Sequence, residues 1–315
     1  MENNGALTFA EEVRAIPGGE NLDRCYSCGT CVSTCMIQQK IEPEYNPRRL
    51  LRLVMMNMRE EAFRSPTTWL CSGCDLCYPA CPQEIHISGV IGAIKQLAVE
   101  AGYHSPLETV VVDEALCSGC GICVMTCPYE APHLFEKEVN GVMDRFSEVD
   151  AEKCMGCGMC VAACPIGAIA RPGVSNADIA SQIVVKKMNG SPTLVVFVCD
   201  WSLRVAEDVA LLEAYPENVR VIHIPCSGRI DPQMALMALD SGIDGVMVCG
   251  CAPGECHFTR GNYVSTCKMN LLDRMFGQMD LDGGRVRFVQ IGTQDRGRIR
   301  HEVDGMLASL QKEVA

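Results

Sequence analysis

The sequence has no long apolar run. Its longest unbroken stretch, Leu194 to Cys199, falls far short of the ~20 residues that a membrane-crossing helix needs, so no integral membrane segment is expected. The start, Met1 to Pro17, lacks the apolar centre of a secretory signal, and a cytoplasmic location is expected. No basic block stands out and the formal net charge is −12, so nucleic acid is not an expected partner. No G-x-G-x-x-G follows a strand-like run and opens a helix, which removes the usual flavin and nicotinamide fingerprint. Among only six histidines there is no nucleophile–base constellation, and no catalytic residue is expected.

What is plentiful is cysteine, at 22 residues in a chain of 315. In a short secreted protein that number would mean a disulfide scaffold. Here 48% hydrophobic and 21% charged residues describe an ordinary globular chain, long enough for two or three domains. Sixteen of the cysteines form four copies of C-x-x-C-x-x-C-x-x-x-C: Cys25, Cys28, Cys31, Cys35; Cys71, Cys74, Cys77, Cys81; Cys117, Cys120, Cys123, Cys127; and Cys154, Cys157, Cys160, Cys164. A 4Fe–4S cubane takes three thiolates from such a loop and the fourth from the last cysteine of a partner loop. Paired in this way, Cys25, Cys28, Cys31 and Cys81 hold one cluster, and Cys71, Cys74, Cys77 and Cys35 a second. A third falls to Cys117, Cys120, Cys123 and Cys164, and a fourth to Cys154, Cys157, Cys160 and Cys127. Gly29, Gly73, Gly119, Gly121, Gly156 and Gly158 suit tight loops that aim N–H groups at sulfur. Pro82, Pro128 and Pro165 follow the last cysteine in three copies, and Met36 does so in the first. Zinc is the rival occupant, but four ligands satisfy it and a third cysteine in every loop would be surplus.

The two pairs differ in their spacers. In the first, Asn46 reads as a helix cap with Pro47 behind it, and Leu50, Leu51, Val54, Met55 and Met58 recur at helical spacing. A second amphipathic stretch runs from about Val90 to Ala101, which makes this an all-helical two-cluster module. The methionines Met55, Met56 and Met58 are read as helix packing. The second spacer holds an Asn140-Gly141 turn between Val139 and Val142, a hairpin signal suited to the α+β fold of bacterial two-cluster ferredoxins. A linker rich in Gly, Pro, Ser and Asn follows, with one short helix opened by Ser175 or Asn176 and Asp178 in its first turn.

Beyond Pro192, strand-like runs (Leu194 to Val198, Val219 to Ile224, Gly245 to Cys249, Val286 to Ile291) alternate with helix-like runs after Trp201, Asp231, Thr259 and Gln294. This predicts an α/β parallel-sheet domain whose strand order the pattern leaves open. Cys199, Cys226, Cys249 and Cys251 fall at strand ends and Cys256 in the adjoining loop, on the sheet edge where ligands gather. A 2Fe–2S cluster, a redox disulfide or zinc site, and plain core thiols all fit that spacing. Cys249 in its strand and Cys267 in a helix read as unliganded.

The run Cys25-Tyr26-Ser27-Cys28-Gly29-Thr30-Cys31, with Trp69-Leu70-Cys71-Ser72-Gly73-Cys74, resembles the C subunit of heterodisulfide reductase over residues 1–105. Residues 106–172 resemble two-cluster ferredoxins, including the ferredoxin segment of that enzyme's A subunit. Residues 173–191 are the linker, and 192–315 resemble the delta subunit of the methyl-viologen-reducing hydrogenase. That last likeness rests on Cys199-Asp200-Trp201, Pro225-Cys226-Ser227-Gly228-Arg229-Ile230 and Cys251-Ala252-Pro253-Gly254-Glu255-Cys256-His257.

The resemblance implies a 2Fe–2S cluster on Cys199, Cys226, Cys251 and Cys256, although Ser202 stands where many relatives carry a second cysteine. It also implies the partners of an iron–sulfur electron-transfer component of heterodisulfide reductase type. These are a hydrogenase, formate dehydrogenase or other dehydrogenase as donor, a flavin-containing protein like the heterodisulfide reductase A subunit, and a disulfide-reducing protein like its B subunit, in a complex that bifurcates electrons. The Cys-Cys motifs of the disulfide-reducing component are absent from this chain. Arg229, His257 and Arg260 are candidate donors to the C-terminal site. The alternative reading is a stand-alone thiol, disulfide or small-molecule reductase acting at that site; a redox sensor is a third.

Overall fold

The computed structural model describes residues 7–139, 141–186, 190–203, 210, 212, 214–279, 283–292 and 295–314. The chain forms two compact units, Met1–Leu107 and Glu108–Ala315.

Within the described residues the first unit is built from helices: α1 (Phe9–Ala15), α2 (Thr30–Thr34), α3 (Met36–Lys40), α4 (Pro47–Met55), α5 (Arg59–Arg64), α6 (Pro66–Leu70) and α7 (Ile87–Glu100). Helix α4 starts as its sequence requires. The Asn46 side chain accepts from the Arg49 N–H at 3.0 Å, and Pro47 takes the first helical position, where no N–H is needed. Its Leu50, Leu51 and Val54 bury against Phe9, Val13, Phe63 and Trp69, and α7 adds Val90, Ile91 and Ile94. The methionines depart from the packing expected of them. Met55 and Met56 are exposed, because α4 ends there and turns them away from its buried stripe.

The second unit opens with β1 (Val111–Val112), α8 (Ile122–Thr126), the hairpin β2 (Pro132–Val139) and β3 (Val142–Val149), α9 (Met159–Ala163) and β4 (Ile169–Ala170). Strands β1 and β4 pair antiparallel, and so do β2 and β3, closing at Val139 opposite Val142. Gly141 has φ +81°; Asn140 lies outside the described residues. Next come α10 (Asn176–Gln182), β5 (Leu194–Cys199), β6 (Val219–Ile224), α11 (Pro232–Asp240), β7 (Gly245–Cys251), α12 (Gly261–Gln278), β8 (Val286–Ile291) and α13 (Arg298–Val314). The helix expected after Trp201 falls mostly on residues outside the described ones, as does Gln294.

The four-stranded sheet is parallel throughout, in the order β6-β5-β7-β8. Alternation along its strands separates two cores. Val195, Phe197, Ile222, Val246 and Val248 face α11 and α12, while Val196, Val198, Met247 and Val289 face Ile299, Val303 and Met306 of α13. A strand covered on both faces must be apolar at every position, which is why β5 reads as an unbroken hydrophobic run. The stretch expected as a linker contributes to this packing. Ser175 and Asp178 cap α10 reciprocally, and Ile179 buries completely in the first of the two cores.

Candidate metal centres

The four cysteine loops repeat one backbone path. The residue before the second cysteine is left-handed in every copy: Ser27, Gly73, Gly119 and Gly156 have φ between 62° and 65°. The residue after it is left-handed too, with φ of 87° at Gly29, 59° at Asp75, 76° at Gly121 and 77° at Gly158. Left-handed residues set between ordinary ones turn successive N–H groups into one concavity, the arrangement that binds anions and iron–sulfur groups. In three copies Gly29, Gly121 or Gly158 then opens a five-residue helix (α2, α8, α9) that carries the third cysteine, and the fourth cysteine ends that helix in extended conformation. Gly119 has a further reason to lack a side chain: a Cβ there would lie 2.2 Å from the Arg145 carbonyl oxygen.

The fold joins each loop to the last cysteine of its partner. Cys25, Cys28, Cys31 and Cys81 line one small cavity, Cys117, Cys120, Cys123 and Cys164 line another, and Cys127, Cys154, Cys157 and Cys160 line a third. The set of Cys71, Cys74, Cys77 and Cys35 shows in its electrostatics: burial, then the charges of Cys71, Cys74 and Cys35, pushes the Cys77 thiol far up.

Burial pushes Cys31 up to about 11, with Cys25, Cys28 and Cys81 adding to the effect, and Cys157 rises to about 12 by burial, opposed by the Met159 N–H. Such thiols stay protonated at neutral pH unless a cation takes them, so metal binding here releases protons. Cys28 and Cys120 are exposed, whereas Cys154, Cys157 and Cys160 are buried.

Tyr45 carries no motif and was not anticipated. It is 2% exposed, and its hydroxyl bonds the sulfurs of both Cys35 and Cys71, which come from different loops of one set. Burial and those thiols push its own proton affinity well up, which makes it a donor. Its place just before the Asn46 cap is the one signal that could have flagged it.

In the C-terminal half, Cys199 ends β5, Cys226 follows β6, Cys251 ends β7 and Cys256 lies in the next loop, so all four reach the C-terminal edge of neighbouring strands. Their sulfurs form a closed ring: Cys199 and Cys256 each stand within hydrogen-bonding reach of both Cys226 and Cys251. Sharing protons around the ring pulls the Cys199 and Cys256 thiols below the ordinary range and pushes Cys226 and Cys251 above it. Backbone N–H groups of Trp201 and Ser227 also reach Cys199, and those of Asn262 and Phe258 reach Cys256.

The surrounding elements are tied down. Lys268 of α12 donates to the Gly228 and Ile230 carbonyls at 3.1 and 3.0 Å, fixing the turn Ser227–Arg229, and Asn262 donates to the Ala252 carbonyl at 2.9 Å. Trp201 and His257 stack with centroids 3.3 Å apart, and Phe258 meets both rings edge-on. Ser202 is 2% exposed and donates to the Cys199 carbonyl at 2.7 Å. Cys249 lies in the α13-side core, outside the ring, and Cys267 is exposed.

The donor chemistry fits iron–sulfur groups. Sixteen thiols stand in sets of four, and unpartnered buried polar atoms lie beside them. Among the described residues these atoms are Ser27 Oγ, Arg171 Nε, Arg229 Nη1 and Ser265 Oγ; the first three adjoin cysteine loops. The chain is thus an iron–sulfur protein with two 4Fe–4S dicluster domains, matched at residues 21–85 and 116–168, followed by a parallel-sheet domain.

Residues 194–312 match the family described as methyl-viologen-reducing hydrogenase, delta subunit, and the chain belongs to that family through this domain. It is 39% identical over 98 residues to the iron-sulfur D subunit of the F420-non-reducing hydrogenase of Archaeoglobus profundus, covering 30% of this chain and 72% of that one. It is 32% identical over 149 residues to the A subunit of the ferredoxin:CoB-CoM heterodisulfide reductase of Methanosarcina mazei (46% of this chain, 19% of that one). It is 30% identical over 103 residues to the C subunit of the H(2):CoB-CoM heterodisulfide,ferredoxin reductase of Methanothermobacter marburgensis (33% and 54%). The chain therefore spans most of the hydrogenase D subunit, about half of the reductase C subunit and a small part of the A subunit. No helix among the described residues is long and apolar enough to cross a membrane.

Proposed function

We propose that this chain is an electron relay holding four 4Fe–4S clusters and one 2Fe–2S cluster. The three cysteines of each loop, with the last cysteine of its partner loop, hold the cubanes, and Cys199, Cys226, Cys251 and Cys256 hold the two-iron cluster. In this reading residues 1–105 are an all-helical module, 106–172 an α+β bacterial-type ferredoxin, and 192–315 the delta-like domain. The clusters supply one-electron uptake and release.

The chain's own residues do the rest. Cysteine thiolates anchor, left-handed loop residues aim N–H groups at sulfur, Tyr45 donates to one set, and the stacked Trp201 and His257 brace the chain beside Cys199 and Cys256. The donor is a hydrogenase, formate dehydrogenase or other dehydrogenase. The acceptors are a flavin-bearing protein like the heterodisulfide reductase A subunit and a disulfide reductase like its B subunit, in a cytoplasmic, electron-bifurcating assembly. The names of the hydrogenase D and reductase A and C relatives support that placement.

The observation that carries the reading is the three-plus-one assembly of sulfurs from loops distant in sequence. Zinc fits the loops less well: four ligands satisfy it, and a third cysteine in every loop would be surplus. A stand-alone reductase needs an open sulfur, and Cys199, Cys226, Cys251 and Cys256 are at most 6% exposed.

Anaerobic purification with iron and sulfide analysis and EPR tests the proposal: four cubanes and one two-iron cluster give about 18 iron atoms per chain. A count near 10 removes one whole module, a count near 8 removes the C-terminal cluster as well, and about 16 without a two-iron signal removes the C-terminal cluster alone. Stoichiometric co-purification with a flavoprotein supports the relay. Turnover of a thiol or disulfide by the isolated chain with a reduced dye points to the reductase.

A further inference from the structure

Helix α9, which carries Cys160, packs against the turn Ser227–Arg229 that follows Cys226. A Cβ on Gly228 would lie 2.9 Å from Met159 Cγ, and one on Gly158 would lie 2.6 Å from Arg229 Cδ. The last cubane loop and the C-terminal ring therefore meet where two glycines let the elements approach closely.

Arg229 is fully buried at this junction. Its Nε and Nη2 donate to the Val174 carbonyl at 3.1 and 2.8 Å, and Nη2 also donates to Asn176 Oδ1 at 2.8 Å. Its Nη1 is buried and has no protein partner. Burial pulls the Arg229 guanidinium down to about 10, with Arg171 adding to the effect and Asp231, Cys160 and Asp178 opposing it. Arg171 repeats the pattern on the other side of the same loop: its Nε is also buried without a partner, 3.4 Å from where a Cβ on Gly156 would stand. A buried guanidinium N–H left unpaired is costly unless something anionic takes it.

We infer that Arg229, together with Arg171, donates to the anionic sulfur cluster held by Cys127, Cys154, Cys157 and Cys160, raises its potential, and marks it as the point where electrons cross between the ferredoxin half and the C-terminal ring. The inference rests on the cluster assignment proposed above. Positive charge and hydrogen bonds at cluster sulfur favour the reduced, more negative state, so their removal lowers the potential.

The test is an anaerobic, EPR-monitored redox titration of the full chain, comparing wild type with Arg229→Gln, Arg229→Lys and Arg171→Gln. Wild-type iron near 18 per chain with a two-iron signal establishes the underlying assignment; a shortfall there overturns that assignment, and the inference with it. With iron retained, Arg229→Gln is expected to lower the reduced-to-oxidised ratio of one cubane component about tenfold at fixed potential, equivalent to about 59 mV for a one-electron couple. The other components stay in place, Arg229→Lys restores most of the shift, and Arg171→Gln moves the same component.

In wild type, that component is also the one whose reduction broadens the two-iron signal by spin–spin coupling. If full-iron Arg229→Gln moves nothing, or the broadening belongs to a different component, the inference is wrong. Should Arg229→Gln lose iron through misfolding, Arg171→Gln decides: full iron with an unmoved titration overturns the role.

Discussion

Gly261 is the first residue of α12, and a Cβ built on it would lie 2.0 Å from Cys226 Sγ. Heavy atoms in ordinary contact keep about 3.5–4.0 Å apart, so Gly261→Ala demands a displacement of roughly 1.5–2 Å. The helix cannot easily supply it. Asn262 is bonded to the Ala252 carbonyl, Lys268 grips both Gly228 and Ile230, and the Gly228 backbone nitrogen already stands 3.7 Å from the new methyl. The sulfur must then swing out of the ring, and metal–ligand distances tolerate only about 0.2 Å. The expected outcome is selective: iron falls from about 18 to about 16 per chain, the two-iron EPR signal disappears, and the cubane signals persist. Gly277→Ala on the same helix meets nothing within 4 Å and serves as the control; it should keep all iron and gain about 0.5–1 kcal/mol from the better helix former. A Gly261→Ala protein with about 18 iron atoms and an undiminished two-iron signal would refute the reasoning, because Cys226 would then not be a ligand in the position described.

Tyr45→Phe removes a buried hydroxyl that bonds Cys35 and Cys71, and is expected to keep iron content while lowering the midpoint of one cubane component in a redox titration. Ser27 holds φ 62°, a left-handed conformation that glycine takes without strain, so Ser27→Gly should stabilise the anaerobic holoprotein by about 1 kcal/mol, read from denaturant unfolding. Cys249→Ala should leave the iron count unchanged and cost about 1–2 kcal/mol, since Cys249 is fully buried in the α13-side core; loss of the two-iron signal instead would make it a ligand.

The sixteen loop cysteines were legible because their geometry is local. Three thiols on one tight turn need only spacing and small residues, and spacing survives even where the glycines do not. Ser27 and Asp75 adopt the left-handed turn that glycine takes elsewhere, so the backbone repeat is more regular than the sequence repeat. Strand alternation was legible for the same reason, but strand order was not. The unbroken apolar runs of β5 and β7 suit central strands, and Arg220 and His223 of β6 and Arg287 and Gln290 of β8 suit edges, but no pattern records which edge pairs with which central strand. The short stretch after Gly173 read as a linker from its composition, although one residue, Ile179, commits it to the sheet's core. Ser202 cast doubt on Cys199 in the sequence; its hydroxyl instead caps the Cys199 carbonyl while the Cys199 sulfur joins the ring. Tyr45, Arg171, Lys268 and Gly261 were invisible, because each acts on a sulfur or turn contributed by another part of the chain, and no periodicity records such a meeting.

The relay reading makes such residues matter more than the ligands for direction. All four cubane sets have the same four thiols, so ligand identity cannot rank their potentials; hydrogen bonds, nearby charge and exposure must. The surroundings are unequal within each pair. Cys28 and Cys120 are exposed in their sets, whereas the partner sets hold a buried Tyr45 hydroxyl in one case and the paired guanidinium groups of Arg171 and Arg229 in the other. The other two sets have hydroxyls at sulfur as well, Thr30 and Tyr26 at Cys28 and Ser147 at Cys123, so no set lacks a polar neighbour; the set beside the arginines is also the one packed against the C-terminal ring. A repeat that copies cysteine spacing can conduct in either direction. On this reading the copies differ through what surrounds each set of sulfurs, with Tyr45 and the two arginines as its buried donors from outside the loops.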